Sequence, residues 1–264
     1  MNQLYRNQAL PTSPKDGARV RDKRVISRQY DGVMFQRLST LALASVYAAQ
    51  LVSLILRAER LPEAAGPRSG ATGQGARLRL LVLGDSSGAG VGVAHQDDAL
   101  IGQMLHHLAP HARVEWQVIA RSGATTQAAR SMLRRAGQFD VAVLALGVND
   151  VLRQTRAARF AQAQAALMRD LRQTHGAGQI LASAVPPLGA FPAFPHPLRA
   201  YLGRRATKLD RVLREVCAAS GAQHVPFELT PDINLLARDG FHPGAPLYAH
   251  WGARMAGLAL RAHS

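Results

Sequence analysis

Leu78-Arg79-Leu80-Leu81-Val82-Leu83-Gly84-Asp85-Ser86 is the stretch on which the reading of this chain turns. Its apolar run reads as a buried strand, and Gly84 as the turn that ends it. In a parallel sheet, a strand ended this way leaves Ser86 just past the carboxyl edge, where such sheets present their ligands. Further along, apolar runs recur at 114–119, 140–146, 179–185 and 223–226. Helical patterns fall at 98–109, 125–136, 151–174, 198–219 and 246–262. Alternation at this rhythm predicts a parallel sheet with helices on both faces. Right-handed crossovers then bring loops 84–97, 120–125, 147–152 and 186–197 to one edge.

Several groups expected at that edge have complementary chemistry. A serine hydroxyl needs a base to take its proton in the transition state, and histidine titrates in the useful range. Of ten histidines, His242 stands out, because Asp239 lies three residues before it in Asp239-Gly240-Phe241-His242. That spacing lets a carboxylate reach one ring nitrogen and leaves the other for Ser86. A tetrahedral intermediate also needs fixed donors around its oxygen. The Ser86 N–H, the Gly123 N–H and the Asn149 side-chain amide are the candidates for that oxyanion hole. The set predicts acyl transfer to water. Asp85 and Asp150 are expected to have turn-stabilising roles. Ser87 is a minor rival nucleophile and His196, set between two prolines, a weak rival base.

Gly84-Asp85-Ser86, Gly123, Gly147-Val148-Asn149-Asp150 and Asp239-Gly240-Phe241-His242 resemble, in order and spacing, the four blocks of the SGNH hydrolases, also called the GDSL esterase/lipase family. The resemblance covers roughly residues 78–262. It implies a flavodoxin-like three-layer α/β/α sandwich with a five-stranded parallel sheet and no metal or cofactor. Ser86 would then be the nucleophile, His242 the base and Asp239 its orienting acid. Ser87 stands where the name motif has Leu. The expected substrate is a small-molecule carboxylic ester with a short- to medium-chain or lipid-like acyl group. Phe191, Phe194 and Leu198, in a proline-rich loop, are candidates for an acyl pocket. Acyltransferase or carbohydrate O-deacetylase activity on the same groups remains open. So does a binding or scaffold role on a degenerate fold, although both Ser86 and His242 are present. A dinucleotide-loop reading of residues 84–92 leaves Asn149 and the Asp239–His242 pair without a purpose.

Basic residues exceed acidic ones by 32 to 17, a net +15. They are mostly arginine, spread along the chain without an aromatic-basic stripe or zinc-finger spacing, so no specific nucleic-acid partner is expected. Lone Cys217 rules out an intrachain disulfide and reads as a buried hydrophobe. Residues 1–37 read as a basic flexible tail. Residues 38–60 read as an apolar helix whose uncharged run, 38–56, nearly matches a bilayer core and is a possible membrane anchor. Flanking basic residues favour a cytoplasmic N-terminus, which would put the catalytic domain on the envelope side; a cytoplasmic protein is the alternative. Residues 61–76, rich in Gly, Pro and Ala, read as a linker, and residues 77–264 as the catalytic domain.

Overall fold

The computed structural model describes residues 45–47, 49, 50, 53, 59–227 and 233–261. The chain divides into two units, Met1–Ser53 and Leu54–Ser264. In the first, the described residues 45–47, 49, 50 and 53 are helical. Most of the expected anchor at 38–56 lies outside the described residues. Among those described, no helix is long and apolar enough to cross a membrane.

The second unit contains one six-stranded sheet. Its strands are β1 (Ser69–Thr72), β2 (Arg77–Gly84), β3 (Arg113–Ala120), β4 (Val141–Ala145), β5 (Gln179–Ser183) and β6 (Gln223–Val225). They lie in the order β1-β3-β2-β4-β5-β6. β2 to β6 are parallel, and β1 is antiparallel to β3 at the edge. The helices are α1 (Leu100–Leu108), α2 (Thr126–Met132), α3 (Val148–Leu152), α4 (Ala157–Gln173), α5 (Leu198–Ser220) and α6 (Ala245–Arg261). α1 packs with α6, while α4 packs with α2 and α5, and α5 with α3. The sheet therefore lies between two helical layers, as expected. β4 throughout and β2 from Leu80 onward are apolar because both their faces are covered: Leu80 to Leu83 and Val141 to Ala145 are all buried. On α5, buried Leu198, Leu202, Ala206, Leu209, Leu213 and Cys217 follow one helical stripe. Burial pushes the Cys217 thiol up to about 12, which makes it inert packing.

The strand count and the linker expectation need correction. Residues 61–76 are not a free linker: Ser69–Thr72 forms the sixth strand, Ala64 is buried, and Glu63 accepts from the Ser122 N–H and hydroxyl. The Ser-Gly-Ala-Thr strand has no large apolar residue to reveal it. Backbone pairing makes it, and Gly70 lets the ribbon lie on the Trp116 ring. The expected helix 151–174 is also two helices. Gln154 takes φ 58°, and the Thr155 N–H returns to the Asp150 carbonyl, which ends α3 before α4 begins.

An acid–histidine pair ties α5 to β6 and to the segment after β5. Asp210 on α5 accepts from the Val185 N–H at 3.0 Å and lies 2.9 Å from His224 Nε2 on β6. Burial pushes the Asp210 carboxyl up, but His224, Val185 and Arg214 more than offset this and hold it below its ordinary value. Its stabilising contribution is therefore complete above the ordinary aspartate value of about 3.9. It is lost as pH falls through the lower value held in the fold. Asp210→Ala is expected to cost about 1–3 kcal/mol at neutral pH, because it leaves Val185 without its acceptor. Urea midpoints should show that gap narrowing towards pH 3; a gap of constant size would contradict the pairing.

Candidate active site

The turn after β2 is built by glycines. A Cβ on Gly84 would come within 2.8 Å of the Gly88 Cα, so the chain can fold back over the strand end only if both lack side chains. The Ala89 N–H returns to the Asp85 carbonyl and the Val91 N–H to that of Ser86. Consecutive turns follow, and the next α-helix begins only at Leu100. A dinucleotide loop needs a helix opening at the glycines, so that reading is not supported.

Asp239 and His242 form a self-contained turn. Asp239 Oδ1 accepts from the Phe241 and His242 N–H groups, each at 3.0 Å, and Oδ2 lies 2.6 Å from His242 Nδ1. Burial pushes this carboxyl up, but the bonds from His242 and Phe241 prevail and hold it below the usual carboxylate range. An ionised carboxylate only accepts, so Nδ1 carries the proton and the Nε2 lone pair is free. Nε2 lies 3.0 Å from Ser86 Oγ. A chain segment 156 residues away thus meets the strand-end serine in line with the acid.

Asp85 is 1 % exposed and turns away from this line. Its Oδ1 accepts from the Ser87 N–H and hydroxyl, and its Oδ2 accepts from Asn149 Nδ2 at 3.2 Å. Burial pushes the Asp85 carboxyl up to about 6, although these hydrogen bonds oppose the rise. The Ser87 hydroxyl is thereby occupied at 2.8 Å. Asn149 sits in the first turn of α3, and its amide has a second hydrogen still to donate. Gly123, at φ 78°, follows β3, whose Ala120 pairs with Gly84 beside Ser86. Asp150 is buried and accepts from the Thr126 N–H and hydroxyl, tying α3 to α2. His196 is exposed in its loop.

Of the three residues expected to line an acyl pocket, one borders the cavity at Ser86. An apolar cavity opens beside Ser86 and His242, and Phe191 lines it. Phe194 and Leu198 do not: each is 1 % exposed in the core. Phe194 packs edge-on against Phe241 at 5.4 Å, and Phe241 in turn against His242 at 4.8 Å. The cavity wall not anticipated from sequence comes from the ends of β4, β5 and β6 and from one face of α6. Leu247, His250, Trp251 and Arg254 mark that face at i, i+3, i+4 and i+7, the one signal that could have revealed it.

An α/β/α sandwich with a hydroxyl, an imidazole and a carboxylate in line at its carboxyl edge has the make-up of a serine-type hydrolase. The sequence model of the GDSL-like lipase/acylhydrolase family matches residues 82–250. The chain belongs to that family, and its general chemistry is the hydrolysis of ester or acyl bonds. Among solved structures it is similar to TesA, with TM-score 0.57 and 22 % identity over 69 % of this chain and 98 % of that one. It is also similar to the psychrotrophic esterase EstA from Pseudoalteromonas sp., with TM-score 0.55 and 19 % identity over 69 % and 98 % of the two chains. A lipase/acylhydrolase from Enterococcus faecalis gives TM-score 0.55 and 20 % identity over 70 % and 96 %. At these identities the likeness is one of fold. No curated protein matches the chain.

Proposed function

We propose that the chain hydrolyses carboxylic esters with short- to medium-chain or lipid-like acyl groups through an acyl-enzyme on Ser86. The observation that carries this is the continuous line from Ser86 Oγ to His242 Nε2 at 3.0 Å and from Nδ1 to Asp239 at 2.6 Å. In the first half, Oγ bonds to the ester carbonyl carbon while its proton passes to Nε2. The carbonyl oxygen becomes negative and is held by the Ser86 and Gly123 N–H groups and the Asn149 amide. The intermediate then expels the alcohol, which takes the proton from His242. Water repeats the sequence on the acyl-enzyme, releasing the carboxylic acid and restoring the Ser86 hydroxyl. Asp239 keeps the ring in its tautomer and stabilises the imidazolium without taking the proton. Asp85 holds the Asn149 amide in position.

Purified protein is expected to turn over p-nitrophenyl acetate and butyrate, followed by p-nitrophenolate release. A protein that cleaves neither ester, although folded, contradicts the reading. On the same proposal residues 38–56 attach the chain to a membrane, with the catalytic unit on the envelope side; an uncharged run of bilayer length supports this. Full-length protein should sediment with membranes and resist a high-salt wash, while a chain beginning at residue 59 stays in the supernatant. Equal solubility of the two would count against the anchor.

A further inference from the structure

Of the three residues assigned to the oxyanion, only Ser86 lines the cavity. Gly123 follows β3 and Asn149 follows β4, and neither lines it. It lies against the ends of β4, β5 and β6, under the face of α6 marked by Leu247, Trp251 and Arg254. From Leu247 to Arg254 that face spans about 10 Å. Its walls near the strand ends are carbon: Leu146, Ala184, Val225 and Leu247 are all buried and apolar. Two of the polar groups on that wall are tied to neighbours. Trp251 Nε1 donates to the Ser183 hydroxyl at 3.1 Å, and Asp85 is held by Ser87 and Asn149. The Trp251 indole also stacks on Tyr248, at 6.2 Å and 12° between planes. The Tyr248 hydroxyl shares its one hydrogen between the Ser87 and Val91 carbonyls, at 3.0 and 2.9 Å, so the wall is tied to the nucleophile turn.

We infer that this cavity takes the acyl chain of the ester, which lies between Ala184 and the fixed indole of Trp251, and that these two residues set the preferred chain length. The assignment rests on the ester-hydrolase reading for its reaction, but the alkyl site itself can be tested without turnover. A carbonyl carbon at Ser86 Oγ can turn its oxygen towards Gly123 and Asn149, which lie outside the cavity lining, and its chain into the cavity. A rigid, prebuilt apolar wall needs little ordering when the chain enters. Each methylene it accepts favours binding by about 0.8 kcal/mol, or about fourfold. His250 and Arg254, the polar residues on the same helix face, are exposed and half-buried.

The test joins kinetics to binding. For wild-type protein, kcat/KM is expected to rise at least tenfold from p-nitrophenyl acetate to the octanoate. Ala184→Leu, which fills the cavity, should lower the octanoate-to-acetate ratio at least tenfold. Trp251→Phe, which trims the wall and removes its bond to Ser183, should shift the optimum to longer chains. Trp116 and Trp251 are the only tryptophans. Trp116→Phe protein therefore reports on Trp251 alone, and octanoate should change its emission saturably where acetate does not. A flat chain-length profile, a ratio unmoved by Ala184→Leu, or emission indifferent to octanoate overturns the cavity assignment, while acetate turnover would leave the ester-hydrolase reading intact. Saturable octanoate binding in a protein that cleaves no ester means the reverse: the alkyl site stands and the ester-hydrolase reading fails.

Discussion

Ser86→Ala is expected to lower kcat for p-nitrophenyl butyrate by roughly 10⁶-fold and to remove any burst of p-nitrophenolate. The loss should be this large because alanine leaves His242 with no proton to take and the carbonyl carbon with no attacking oxygen. The adjacent Ser87 is no substitute, since its hydroxyl donates to Asp85 at 2.8 Å. Folding should be untouched, because the Ser86 side chain contributes one hydrogen bond, at a half-buried position. A variant with wild-type circular dichroism and wild-type turnover would show that another group attacks.

Asn149→Ala should lower kcat by roughly 10²–10³, the usual effect of losing one oxyanion donor. KM should change little, because the charge it stabilises develops only after attack. The same substitution removes a partner of buried Asp85. A modest fall in thermal midpoint is therefore also expected, and it separates from the kinetic effect by measuring kcat well below that midpoint. An effect confined to KM would make Asn149 a substrate-binding group instead.

How much of this was legible in sequence follows from where each interaction is made. β2 and β4 were plain because a strand buried on both faces has no polar residue to spare, as Leu80 to Leu83 and Val141 to Ala145 illustrate. β1 was not, because its pairing is made by backbone groups and Ser-Gly-Ala-Thr is also what a linker looks like. The site's polar groups were legible because each sits in a short local turn. Asp239 and His242 position each other within four residues, and Gly84 and Gly88 permit the fold-back at Ser86. The apolar surroundings were not. Whether Phe191 or Phe194 faces the cleft depends on where Phe241 lies, and Phe241 arrives from the far end of the chain. The cavity joins three strand ends to α6, a contact set by layer packing that no local pattern specifies.

Covalent trapping tests the central claim most directly. Diethyl p-nitrophenyl phosphate should add one diethylphosphoryl group to the full chain, releasing p-nitrophenolate in equal amount. Mass spectrometry of the peptide spanning residues 80–113 should place the group on Ser86. Labelling should vanish in Ser86→Ala and slow sharply in His242→Ala. A label on Ser87 or elsewhere, or an intact mass unchanged after long exposure, would contradict the account.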